Sequence, residues 1–326
     1  ATAATDLTLT DDVSADTLDL AATNGEIDQT GGELSVTNGP TNLTADTDIT
    51  LDSSTNDFNG TVNANGANVT LIDTNDLELG NITAANDLDL SAGQKITQTE
   101  STTIAVTDGT VSLNATDSIT LNESNNYGAA GLAIGDEGST TNLTIDAPIT
   151  ASGPITIFGA TITLDAKLTA GADSTIVISA SENFINLVGA DVLNVSGDDG
   201  RWLVYVDSAR GNTYGDLDSQ NIAVWNASYD SLAPTDVQMP EGNHYIFNQD
   251  PLREVIITTT DAEKFYGDSI DLSDNYTIES LGIMAVENVY EGVAVENDSP
   301  QAFDTEAVFT ADPIGSNLSA PESNVG

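Results

Sequence analysis

A four-residue phrase that returns every 19 or 20 residues constrains this chain more than any other feature. Asp48-Ile49-Thr50-Leu51 recurs as Asn68-Val69-Thr70-Leu71 and then as Asp87-Leu88-Asp89-Leu90. Asn142-Leu143-Thr144-Ile145 and Thr161-Ile162-Thr163-Leu164 form a further pair. Each phrase alternates polar and apolar side chains, the period of a strand with one buried face. A strand of about four residues every ~20 is too dense for βαβ units and lacks helical spacing. A solenoid satisfies it, because each turn stacks its strands on the turn below.

Residues 1–199 carry the pattern. Inward positions are aliphatic throughout: Leu7 and Leu9, Leu18 and Leu20, Leu34 and Val36, Ile49 and Leu51, Val69 and Leu71, continuing to Ile176 and Ile178. Like stacks on like, so Leu51, Leu71 and Leu90 should share one interior column. Turn signals such as Asn24-Gly25, Asn59-Gly60 and Asp108-Gly109 fall between the strands. At ~20 residues per turn and ~4.8 Å per strand, about 10 turns make a rod near 50 Å long. Outward positions are mainly Thr, Asn, Asp and Ser, and Thr and Asn can form hydrogen-bonded ladders between turns. The sequence shows no convincing helix, and a short cap at residues 1–7 is the one place left open for one.

Composition changes near Gly200. Four aromatic residues precede it (Phe58, Tyr127, Phe158 and Phe184) and thirteen follow, including Trp202 and Trp225. The strands at a solenoid's ends have open edges, and this aromatic segment is the expected C-terminal cover, over residues 200–256. Acidic residues number 52 against 6 basic ones, a formal charge of −46. Phosphate recognition needs Lys and Arg, so nucleic acid is excluded as a partner and anionic membrane surfaces are disfavoured. Such a charge suits a saline, marine exterior, where screening lengths fall to ~8 Å or less. The chain has no cysteine; chance composition and export as an unfolded thread both account for that. Disulfides and thiolate metal sites are thereby ruled out. No apolar run approaches the ~20 residues of a membrane helix, so no membrane insertion is expected. The start at Ala1, without a signal-like segment, reads as a processed or internal piece.

Thr47-Asp48-Ile49-Thr50-Leu51, Asn56-Asp57-Phe58-Asn59-Gly60-Thr61-Val62 and Ala92-Gly93-Gln94-Lys95-Ile96-Thr97-Gln98 resemble the repeats of filamentous-haemagglutinin-type, two-partner-secretion adhesins. Gly200-Arg201-Trp202-Leu203-Val204-Tyr205 with Ala223-Val224-Trp225-Asn226-Ala227 resembles the junction after those repeats. Asp261-Ala262-Glu263-Lys264-Phe265-Tyr266-Gly267-Asp268 resembles the opening of MBG or YDG modules, and Ser323-Asn324-Val325-Gly326 the phrase before their last strand. The resemblance implies an all-β chain: a right-handed parallel β-helix over 1–199, a β cap or junction over 200–256, and an incomplete β-sandwich-like module over 257–326. It also implies secretion through an outer-membrane β-barrel transporter. A longer parent protein explains the missing last strand; so does strand donation by a neighbouring copy.

Chemistry is sparse. β-Helices also host enzymes that cleave polysaccharides, which place two carboxylates ~5–10 Å apart in a groove. Among 52 acids such pairs arise by chance, and Asp11-Asp12, Asp136-Glu137 and Asp198-Asp199 read as turn carboxylates. His244 is the only histidine, so a histidine-rich zinc site is impossible; it is expected in a strand or turn beside Tyr245. Weak divalent-cation binding, calcium included, has oxygen ligands available at Asp46, Asp48, Asp198 and Asp199, but neither a Gly-Gly-x-Gly-x-Asp repeat nor an EF-hand loop is present. No catalytic residue or bound cofactor is assigned. Asn-x-Thr sequons at Asn42, Asn81 and Asn142 follow from composition. The expected function is that of a non-enzymatic stalk or filament segment of an extracellular bacterial adhesin. Its expected partners are copies of itself end to end and surface glycans. The alternative is a carbohydrate-binding or polysaccharide-cleaving β-helix.

Overall fold

The computed structural model describes residues 1–128, 130–238, 241–251, 253–259 and 276–283, with Ala285, Val286 and Val289. Residues 1–250 form one unit, a parallel β-solenoid of about 11 turns. Its strands lie on three faces. On face 1, Leu18–Ala22 pairs with Thr41–Ala45, which pairs with Val62–Gly66. Face 2 carries Ile49–Leu51, Val69–Asp73 and Leu88–Ala92 in direct succession. Face 3 begins with Val13–Ala15, Leu34–Val36 and Asp57–Phe58. Three long strands turn a corner without a break: Leu77–Ala84 runs from face 3 to face 1, and Ile155–Leu164 and Thr175–Asn186 run from face 2 to face 3.

Every pairing in this unit is parallel, so each backbone N–H and C=O bonds to the turn above or below and the hydrogen bonds run along the rod axis. Register keeps like side chains in line. Leu71 lies between Leu51 and Leu90 as Cα partner of both, and all three are fully buried. The column continues through Leu113, Ile134, Ile157 and Ile178. Of the inward pairs read from the sequence, only Leu7 and Leu9, at the first turn, are half-exposed. Residues 1–7 form no helical cap: Thr2–Ala3 is a strand whose backbone pairs with Ala21 and Ala22. Among the described residues the one helical element is a 3-10 turn at Pro234–Asp236.

The stack runs on beyond Gly200. Arg201–Val206 pairs with Thr175–Asn186, and His244–Phe247 pairs with Arg201–Val206. Aromatic rings here replace aliphatic ones inside: Trp202 stands over Ile176, Tyr245 over Val204 and Phe247 over Val206. Trp202 and Tyr214 each meet Tyr245 edge-on at 5.0 Å, and the Tyr245 hydroxyl donates to the Leu217 carbonyl at 2.8 Å. Wide aromatic plates thus close the end of the aliphatic column. His244 is buried at the start of its strand, with Nδ1 2.7 Å from the Gly242 carbonyl.

Outside face 2 these last turns bear a second apolar core. Val177, Leu203, Tyr205 and Ile246 point away from the rod interior and are buried under Ala227 and Val237. Both sides of Arg201–Val206 are therefore covered, which is why that segment is a continuous apolar run without alternation.

The second unit contains Arg253–Thr259 and Tyr276–Ile283, an antiparallel pair. Most of the module expected over 257–326, including Lys264-Phe265-Tyr266-Gly267 and Ser323-Asn324-Val325-Gly326, lies outside the described residues.

Candidate functional site

Two kinds of polar structure reinforce the rod. The first is external. Asn42 donates to Asp19 at 2.6 Å, Asn63 donates to Asn42 at 3.0 Å, the Asn81 amide N–H donates to the Asn63 side chain at 2.9 Å, and the Thr103 N–H to Asn81 at 3.1 Å. A ladder of carboxamides thus climbs face 1, one residue per turn. At the next corner Asn68 donates to Asp48 at 2.7 Å and accepts from the Asp87 N–H at 3.1 Å.

The second is internal. Gln29 and Asn56 are buried and exchange two amide hydrogen bonds, at 2.9 and 2.8 Å. The Asn56 oxygen also accepts from the Leu34 N–H at 3.0 Å. Gln98 and Asn125 repeat the arrangement at 3.0 and 2.9 Å, and the Asn125 oxygen accepts from the Ile104 N–H at 2.9 Å. Two residues past each asparagine stands a fully buried aromatic ring, Phe58 and Tyr127. Each clamp joins one turn to the next at a corner, where the chain leaves strand geometry and backbone groups lose their ladder partners.

The two clamps sit on different corners. Ile27 and Ile96 are equivalent in sequence, as are Leu34 and Ile104, yet Ile27 lies on face 2 and Ile96 on face 3, Leu34 on face 3 and Ile104 on face 1. Ten strand segments separate equivalent positions. With three segments per turn, the repeat advances three and a third turns and rotates by one face.

One cleft carries convergent chemistry. It lies on the outside of the last turns, measures ≈ 200 Å³, and is lined among others by Glu137, Ser179, Ala180, Tyr205, Tyr229 and Asp230. One wall is the loop after Gly131–Ile134. That loop begins at Gly135, whose φ of +74° and close approach to the Phe158 carbonyl leave no room for a Cβ. Ser139 then accepts from the Thr141 N–H at 3.1 Å and donates to the Thr141 hydroxyl at 2.6 Å, while the Thr141 hydroxyl donates to the Ala115 carbonyl.

The opposite wall is the segment around Tyr229. Its ring meets Phe158 edge-on at 4.9 Å and Tyr205 at 5.5 Å. The Tyr205 hydroxyl donates to the Leu232 carbonyl at 2.9 Å, and the Arg201 guanidinium donates to the carbonyls of Pro234, at 2.8 Å, and Val237. At the rim the carboxyls of Glu137 and Asp230 share a hydrogen bond. That bond is the main cause that raises Glu137 above the ordinary carboxylate range. Asp207 is held by Asn248 at 2.9 Å and Gln249 at 3.0 Å.

Of the acidic doublets in the sequence, Asp136-Glu137 is the one that reaches this cleft; Tyr229 and Asp230 had no signal in the repeat pattern. The oxygen ligands considered for a divalent cation do not come together. Asp46 and Asp48 lie between Thr41–Ala45 and Ile49–Leu51, whereas Asp198 and Asp199 lie near the far end and line a separate cleft with Arg201 and Glu241. Among the described residues no three acidic, histidine or cysteine side chains converge as a metal-binding group.

Residues 1–65 and 66–133 each match a family model described as repeats of unknown function (DUF5649). Each match coincides with one ten-segment repeat, the first ending at Val62–Gly66 and the second at Gly131–Ile134. Comparison with curated proteins and with solved structures finds no match.

Proposed function

We propose that this chain is a structural stalk or filament segment of an extracellular bacterial adhesin of the filamentous-haemagglutinin type. The observation that carries the reading is the interior column of face 2, unbroken from Leu51 to Tyr245, with the backbone hydrogen bonds aligned along the axis. At about 4.8 Å per turn, the turns give a rod of roughly 50 Å. Stretching such a rod loads many parallel hydrogen bonds at once and pulls aliphatic side chains apart, so the fold resists extension as a unit. The buried amide clamps tie neighbouring turns at corners, and the carboxamide ladder ties them along face 1.

Two further features support an exterior setting. The net charge of −46 keeps copies apart in solution and is tolerated where salt screens it. A disulfide-free, cysteine-free chain suits passage as an unfolded thread through an outer-membrane β-barrel transporter. The stalk would hold a binding end away from a cell surface, in contact with neighbouring copies or with surface glycans.

Cryo-electron microscopy of the native material tests this. Rods projecting from cells, or joined end to end, are the expected image; a dispersed cytosolic protein overturns the assignment. A reducing-sugar assay on a panel of polysaccharides gives the complementary test, because cleavage with turnover replaces a mechanical role with an enzymatic one.

A further inference from the structure

We infer that the cleft between the 135–141 loop and the Tyr229 segment binds a neutral hexopyranose, the terminal unit of a glycan. This goes beyond the stalk reading and does not depend on it. The cleft combines the two surfaces that recognise a sugar ring. The exposed carbons of the half-buried Tyr229 ring offer an apolar surface for its C–H face. Around them stand hydroxyl donors and acceptors from Ser179, Ser181 and Ser228, and the carboxyls of Glu137 and Asp230.

The walls are pre-built. Tyr229 is fixed by edge-on packing against Phe158 and Tyr205, and the opposing loop is pinned by Thr141 and Ser139. A ligand therefore meets positioned groups and orders little on arrival. At ≈ 200 Å³ the cleft is smaller than the ~300–1,000 Å³ of pockets for drug-sized ligands, which suits one monosaccharide unit.

Charge sets the class. Glu137, Asp207 and Asp230 surround the opening, so uronic and sialic acids are repelled. A neutral sugar hydroxyl instead donates to the carboxylate oxygens and is not repelled by their charge. Adjacent hydroxyls on one pyranose ring match two carboxyls held side by side.

Saturation-transfer NMR on the whole chain tests the inference, with glucose, galactose, mannose and N-acetylglucosamine as neutral probes and glucuronic acid as the anionic control. Expected is transfer to at least one neutral sugar, none to glucuronic acid, and roughly tenfold weaker binding in Tyr229→Ala. Glu137→Gln, an exposed change, should weaken binding while leaving the thermal midpoint unchanged. It serves as the second variant if Tyr229→Ala loses the local fold. Absence of transfer to all four neutral sugars overturns the inference. So does glucuronic acid binding as well as they do, or affinity that survives both substitutions. None of these results bears on whether the chain forms a stalk, which imaging decides.

Discussion

Gln29 and Asn56 hold each other through two amide hydrogen bonds across successive turns, 27 residues apart, inside a largely aliphatic core. Asn56 also satisfies the Leu34 N–H, so one side chain serves a neighbouring turn's side chain and its backbone. Gln98 and Asn125 repeat the device with the Ile104 N–H, one face further round. Buried amides are costly to desolvate and nearly neutral when every donor and acceptor is matched. Their contribution is therefore largest in what breaking them costs.

Removing one partner should be severe. Asn125→Ala leaves the Gln98 side-chain oxygen and the Ile104 N–H without their partner, while the Gln98 NH2 keeps only the Thr102 carbonyl. At about 1–3 kcal/mol per stranded group, the expected loss is about 2–5 kcal/mol. Asn63→Ala, which breaks only the exposed ladder on face 1, should cost under about 0.5 kcal/mol. Urea unfolding followed by circular dichroism on both variants gives the comparison; equal midpoints would show that the clamp carries no stability.

The rotated repeat also identifies two groups that the core would be better without. The Tyr127 hydroxyl and the Thr41 hydroxyl are buried and make no hydrogen bond. At the equivalent positions the other repeat has Phe58 and Val111, both buried. Tyr127→Phe and Thr41→Val delete only the stranded polar atom and keep the shape. Each should stabilise by about 1 kcal/mol, additively, since they lie several turns apart. Differential scanning calorimetry of the two single variants and the double variant checks the sign and the sum.

How much of this was legible depended on distance along the chain. Alternation fixes which side chains point inward, and parallel stacking at constant turn length fixes register, so Leu51, Leu71 and Leu90 could be aligned from spacing alone. The clamps were written in the sequence too: Gln29-Thr30 returns as Gln98-Thr99, and Asn56-Asp57-Phe58 as Asn125-Asn126-Tyr127. The stronger 20-residue period masked that 69-residue one. Arg201–Val206 lost its alternation because a segment some 30 residues later covers its outer side. The cleft was illegible for the same reason. Phe158 and Tyr229, or Glu137 and Asp230, meet through that irregular segment, and no period relates them.

Interior and exterior positions of one strand should respond in opposite ways. Leu71→Ala empties a site sealed above and below by Leu51 and Leu90, where two rigid backbone ladders limit collapse. The cost should be about 2–5 kcal/mol. Thr70→Ala, next in the chain and facing outward, removes only partial cover and some strand propensity, with an expected cost below about 1 kcal/mol. Chemical denaturation of the two variants is the measurement, and similar losses would contradict a column-stabilised interior.

Asp73 makes stability depend on pH in a direction opposite to most carboxylates. It is buried at a corner, where it accepts from the Phe58 N–H at 3.1 Å and the Asn75 N–H at 2.9 Å. Burial outweighs both hydrogen bonds and, aided by the charges of Asp57 and Asp76, raises its pKa from 3.8 to about 6. The folded chain thus holds this proton more tightly than the unfolded chain does. Its contribution is fully present below about pH 4 and is lost as pH rises to about 6; a shift of this size corresponds to roughly 2–3 kcal/mol. Asp73→Asn keeps one acceptor oxygen, so like the protonated acid it matches only one of the two N–H groups, and it removes the titration. It should be more stable than the parent at pH 7 and about equal at pH 4. Because the remaining 51 acids titrate alike in both proteins, the difference between their melting temperatures from pH 4 to 7 isolates the single group. A difference that stays constant across that range would show that Asp73 does not carry the shift.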